Sequence, residues 1–135
     1  MLSVVALALL AACSSEPQPI PANATVGPTA QKSVAPIALP NEEPPQLLAL
    51  HFSSLDVKRG EHWSGAFVTS TNVASLEVRT PLFSINAPRT SFGRFAFTVD
   101  LLDTVPVFVR GYRLEVIARN SAGVQAVEEL PFRIR

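Results

Sequence analysis

Beyond Leu47 the hydrophobic residues recur with a period of two, and no other feature narrows the available folds as far. Phe95, Phe97 and Val99 alternate with Arg94, Ala96, Thr98 and Asp100. Leu76 and Val78 alternate with Ser75, Glu77 and Arg79, and Tyr112, Leu114, Val116 and Ala118 with Arg113, Glu115, Ile117 and Arg119. Successive side chains of a strand point to opposite faces, so such runs bury one face and wet the other. No window of a dozen residues carries a 3.6-residue apolar stripe capped at both ends. Turn formers separate the runs at Lys58-Arg59-Gly60, Ser70-Thr71-Asn72, Ala87-Pro88-Arg89 and Asn120-Ser121-Ala122-Gly123. The pattern predicts seven strands, at about 48–57, 62–69, 73–80, 82–86, 92–100, 110–119 and 124–134. Short strands at this spacing make an all-β, antiparallel sandwich over 47–135 the expected architecture.

Two of these strands are irregular. In 62–69, Trp63 and Phe67 point one way while Ala66 and Val68 point the other. A strand apolar on both faces belongs at the centre of a sheet, or its outer face meets a partner. In 124–134, Glu128 interrupts the apolar parity of Val124, Ala126, Leu130, Phe132 and Ile134. A bulge near Glu128-Glu129, or an edge position that tolerates Pro131, would accommodate the interruption.

A compositional break falls at Gln46. Eight of the twelve prolines lie in 14–46, and every aromatic residue lies after it. A stretch without aromatics cannot bury enough apolar surface to offset its ordering entropy. Proline also removes backbone donors. Residues 14–46 are therefore expected to be a disordered, partly polyproline II tether, reaching about 100 Å when fully extended.

Before the tether, residues 4–12 form an apolar run of signal-peptide length, well short of the roughly 18 residues of a membrane span. The run closes on Leu10-Ala11-Ala12-Cys13, which resembles a bacterial lipobox. That resemblance implies a signal peptide over 1–12, cleavage between Ala12 and Cys13, and a diacylglyceryl group on the Cys13 thiol. It also implies a cell-envelope location, with Ser14, being other than Asp, permitting transport to an outer membrane where the cell has one. In a cell without one, the outer face of the plasma membrane is implied. Cys13 is the single cysteine, so the chain forms no internal disulfide, CxxC redox site or cysteine metal cluster.

Gly111-Tyr112-Arg113-Leu114-Glu115-Val116-Ile117-Ala118-Arg119-Asn120-Ser121-Ala122-Gly123 resembles the F strand and F–G turn of fibronectin type III and bacterial immunoglobulin-like domains. The resemblance implies a tyrosine corner at Tyr112 that fastens the loop at Thr104-Val105-Pro106. It implies a tight F–G connection that Asn120 and Gly123 permit, since both residue types tolerate left-handed backbone. Trp63 departs from the antibody pattern, since it falls on the second strand rather than the third.

Chemistry-bearing residues are sparse. His51 and His62 lie on neighbouring predicted strands, with Asp56 and Glu61 as the nearest carboxylates. Zinc usually takes three or four ligands, so no metal site is expected. Ser64 lacks a Gly-x-Ser-x-Gly elbow, and Asp100 with Asp103 reads as a solvated strand end. Asn23-Ala24-Thr25 matches a glycosylation triplet by composition alone. Arg79, Arg89, Arg94, Arg110, Arg113 and Arg119 are expected on an outer sheet face, paired with Glu77, Glu115 and Asp100. With 11 basic and 11 acidic residues, the chain lacks the positive excess of nucleic-acid binders.

The expectation is a lipid-anchored envelope protein without cofactor or catalytic residues. Its immunoglobulin-like domain would bind another envelope protein or a surface polysaccharide through loops or a sheet edge. An accessory subunit of an envelope complex, marked by a bare apolar patch near Ala66 and Val68, is the alternative. A small enzyme, marked by a pocket holding His51 or His62 beside a carboxylate, is the third.

Overall fold

The computed structural model describes residues 19–28, 34–101 and 111–135. Ten strands form two five-stranded sheets, and no helix occurs among the described residues. They are β1 (Ala24–Val26), β2 (Leu47–Phe52), β3 (Asp56–Val57), β4 (His62–Thr69) and β5 (Val73–Arg79). β6 (Ser84–Ala87), β7 (Arg89–Ser91), β8 (Arg94–Asp100), β9 (Gly111–Asn120) and β10 (Gln125–Ile134) follow. The first sheet has the order β1-β2-β4-β8-β7 and the second β3-β10-β9-β5-β6. Without the short β1 and β7, this is the strand order of an immunoglobulin-like sandwich, and each of the seven expected strands has a counterpart.

The inner faces are those the alternation selected. Leu50, Phe52, Trp63, Phe67, Phe95 and Phe97 face Leu76, Val78, Leu114, Val116, Leu130, Phe132 and Ile134, all buried. Trp63 joins the two layers, with its ring centroid 4.9 Å from Phe97 on its own sheet and 4.9 Å from Phe132 on the other. Its indole N–H donates to the Ser54 carbonyl at 2.9 Å, so burying this polar atom leaves no donor unpaired. Gly65 lies between these rings. A Cβ there would come within 2.5 Å of Phe97 and 2.9 Å of Phe67.

Several expectations are corrected in detail. The strand expected over 48–57 breaks in two, because the chain changes layers. β2 pairs with β4, whereas β3 runs parallel to the end of β10. The sandwich is therefore antiparallel except at two edges, the other being the parallel pair β1/β2. β7 occupies part of the turn expected at Ala87-Pro88-Arg89. β4 lies third of five in its sheet, the central position that its two apolar faces call for. β10 keeps one register along β9 from Gln125 to Arg133, with no bulge. β3 covers only Arg133 and Ile134, so at Pro131 that side of β10 is an open edge where a missing donor breaks no ladder.

The expectation of a disordered 14–46 is corrected for 19–28 and 34–46. Ala24–Val26 pairs with Leu50–Phe52, and the Asn23 side-chain amide donates to the Leu47 carbonyl (3.0 Å) and to Glu128 (2.7 Å). That second bond explains the interrupted parity of β10, since Glu128 faces a polar partner from the N-terminal stretch. Farther on, Ile37 bridges Ser70. The Gln46 N–H donates to the Ser70 hydroxyl at 2.8 Å, and that hydroxyl donates to Asn72 Oδ1 at 2.6 Å. Composition counts the apolar area a segment can bury. It does not count carbonyls, which proline keeps, and which buried donors elsewhere can engage.

Candidate functional site

In an immunoglobulin-like module the loop ends are the first place to look for recognition. Here the end that carries the β4–β5 and β9–β10 turns is tied to the chain itself. Asn72 donates to the carbonyls of Pro40 (3.0 Å) and Glu43 (2.7 Å), and Asn120 to those of Asn41 (3.1 Å) and Glu43 (3.0 Å). Asn120 Oδ1 also accepts from the Val124 N–H at 2.9 Å. Gly123 takes up the left-handed backbone of this turn, with φ of 84°, and no non-glycine residue among those described, Asn120 included, has a positive φ. Tyr112 is buried on β9, and the Thr104-Val105-Pro106 loop lies outside the described residues.

The principal concavity is on the outer face of the first sheet. Its volume is about 330 Å³, with a floor of Ala49, Ala66 and Val68. Asn23 and Thr25 wall one side, and Val34, Thr90 and Arg94 the other. A shallower recess of about 280 Å³ continues over Ser64, Ala96 and Thr98 on the same face. Small side chains on three adjacent strands leave the backbone surface low, and the N-terminal stretch raises a rim beside it. Sequence reasoning marked Ala66 and Val68 as outward and apolar. The rim was invisible to it, since it comes from residues read as tether.

His51 lies on this face but is not free for chemistry. Its Nδ1 is 2.8 Å from the Thr25 hydroxyl and its Nε2 is 3.0 Å from the Gly27 carbonyl. Since that carbonyl only accepts, Nε2 carries a proton, and in the neutral ring Nδ1 accepts from Thr25. The histidine fastens β1 to β2. His62 pairs instead with Asp100, both strongly exposed, at the far end of β4 from the groove. Ser64 has its backbone N–H on the Ser53 hydroxyl at 3.0 Å. Asp56 pairs with Arg135 at 3.0 Å, and the Glu61 carboxylate accepts from the Lys58 N–H at 3.2 Å. The structure does not bring the two histidines together, and no group of three or more potential ligands converges among the described residues. Asp103, Arg110 and Cys13 lie outside those residues.

The arginines divide between the layers. On the second sheet, Glu77 is buried and accepts two bonds from Arg79 (2.9 and 3.0 Å) and one from Arg119 (2.9 Å). Burial alone would raise its pKa, but the hydrogen bonds and charges of Arg119 and Arg79 outweigh it and hold the carboxyl below its ordinary value. Arg113 meets Glu129 at 3.4 Å. On the first sheet, Arg89 donates to the Val73 carbonyl at 2.6 Å and lies over the rings of Phe92 and Phe95. Arg94 reaches the Val34 carbonyl at 3.2 Å and borders the groove. Asp100 pairs with His62 rather than with an arginine.

No family model matches this chain, and no curated protein matches it. Among solved structures it is similar to a Niemann-Pick type C2 protein from Japanese carpenter ant. The TM-score is 0.46 at 13% identity, covering 69% of this chain and 94% of that one.

Proposed function

We propose that this chain is a lipid-anchored cell-envelope protein whose sandwich is a non-catalytic binding module. Its recognition surface is the groove on the outer face of β2, β4 and β8. The observation that carries the binding role is that groove: a floor of small apolar side chains, a cation at one rim, and walls held by hydrogen bonds. Such a surface suits an extended segment of another envelope protein, or a polysaccharide strand, laid along small side chains. Anchoring rests on Leu10-Ala11-Ala12-Cys13, with diacylglycerol and N-acylation giving the several chains that stable attachment needs. A non-catalytic role is supported by the engagement of both His51 ring nitrogens and by the exposed, water-screened setting of the His62–Asp100 pair.

Two measurements test the two halves separately. A Cys13→Ser protein should leave the membrane fraction, and one that still fractionates with membranes refutes the anchor. A photo-crosslinking residue placed at Ala66 should capture a partner in intact cells, while one at Val127 on the opposite outer face should not. Equal capture at the two positions removes the groove from the proposal.

A further inference from the structure

Around the principal groove every side-chain donor but one is engaged within the chain. The Asn23 amide donates to the Leu47 carbonyl and to Glu128, and the Thr25 hydroxyl bonds His51. His51 in turn donates to the Gly27 carbonyl, and the Thr90 hydroxyl donates to the Arg94 carbonyl at 3.3 Å. The strand at the centre of the floor adds no backbone donor, because β4 is paired on both sides, with β2 and with β8. Arg94 is the exception. Its guanidinium makes one hydrogen bond, to the neutral Val34 carbonyl, and meets no carboxylate among the described residues. Most of its N–H groups are left for a ligand.

What enters must therefore be apolar along the floor and carry an anionic group at one place. Arg94 lies across from Val68 in the β4–β8 register, so that place is beside Val68. A saccharide strand would press hydroxyls against alanine methyls and find no donors there to meet them. A fatty acyl chain gains most when it is enclosed, whereas Ala66 in the middle of the floor is open to water. An extended peptide is one-sided, as this groove is. Its alternate side chains point to one face and repeat about every 6.8 Å, which is also the spacing of Ala66 and Val68 along β4. The other half of its side chains stays in water.

We infer, resting on the recognition surface proposed above, that the groove takes an extended segment of a partner polypeptide. Two apolar side chains, separated by one position, lie over Ala66 and Val68, and a carboxylate close to them in sequence meets Arg94.

Selection of a phage-displayed random dodecapeptide library on the full chain in detergent tests this. Enriched sequences should carry two apolar residues separated by one position, with Asp or Glu close by. Synthetic copies should bind Ala66→Trp, whose ring fills the groove, at least about tenfold more weakly than the parent. Arg94→Glu should weaken them similarly and should bind copies in which lysine replaces the acid. Both positions face away from the core, and thermal melts check that the variants fold. The charge exchange also produces a gain of binding that misfolding cannot mimic. Enriched peptides that lack an acid and are indifferent to Arg94→Glu, yet are lost in Ala66→Trp, overturn the assigned ligand and leave the groove standing. So does an oligouronate or palmitate bound in an Ala66-dependent way while no peptide is enriched. Binding that is absent for every probe, or indifferent to Ala66→Trp, overturns both.

Discussion

Asn72 and Asn120 both donate to the Glu43 carbonyl, at 2.7 and 3.0 Å, and so bind one backbone atom from the β4–β5 turn and from the end of β9. Both side chains are buried. This clamp turns a proline-rich stretch into part of the fold. Asn120→Ala removes bonds to Asn41, Glu43 and Val124, and of these groups only the Glu43 carbonyl keeps a side-chain donor, Asn72. The expected loss is about 2–3 kcal/mol. Urea denaturation should show it, and hydrogen exchange should show faster exchange for the amides of 41–46. Unchanged exchange there would mean that the clamp does not hold the stretch.

A chain shortened to begin at Leu47 tests whether the N-terminal stretch belongs to the folded unit. Without β1 the β2 edge is bare, and exposed edges invite pairing between copies. The side chains of Glu128, Asn72 and Asn120 lose their partners at the same time. We expect a stability loss of about 3 kcal/mol or more, together with self-association on size-exclusion chromatography. A monomer as stable as the full chain would show that the stretch is only draped over the domain.

Gly93 should resist substitution for two independent reasons. Its φ is 72°, which L residues rarely adopt, and a Cβ would lie 2.6 Å from Pro36 and 2.8 Å from the Thr69 carbonyl. Gly93→Ala should cost about 2–3 kcal/mol, from backbone strain plus the displacement of Pro36. Gly123 offers the control. Its φ is 84° but nothing lies within 4 Å of a Cβ, so Gly123→Ala should cost about 1 kcal/mol. Equal thermal shifts for the two variants would refute the packing half of the explanation.

Glu77 should make part of the stability depend on pH. Its folded pKa lies below the ordinary 4.5, so its contribution is fully present above that value. The contribution is lost as pH falls through the lowered folded value. Glu77→Gln should therefore destabilise by about 1–2 kcal/mol at neutral pH, since Arg79 is half exposed and partly screened. The gap between variant and parent should narrow as the pH drops below the usual carboxylate range. A gap independent of pH would mean that the three-residue ion cluster contributes packing alone.

Much of this molecule follows from side-chain parity. The buried faces of β4, β8 and β9, the central place of β4, the position of Trp63 and the outward Ala66 and Val68 are all consequences of a two-residue repeat. Parity operates within one strand, and a nine-residue window contains it. The break of 48–57 into β2 and β3 left only a change of phase, from Leu50 and Phe52 to Leu55 and Val57, and a change of phase does not say which strand each piece pairs with. Glu128 was legible only as an anomaly. Its partner Asn23 lies 105 residues earlier, in a stretch whose composition argued against any structure.

The sequence by itself therefore determined the class of fold, since burying alternate side chains needs no knowledge of distant residues. It also determined where the aromatic core begins, because only residues after Gln46 carry enough apolar surface to form one. The tertiary structure alone decided what becomes of the proline-rich stretch and where the groove acquires its rim. Each of these depends on a few hydrogen bonds between segments far apart in the chain, from Asn23, Asn72, Asn120 and His51. A polar side chain near a turn does not state which distant carbonyl it will meet, and only the assembled layers bring the two within 3 Å.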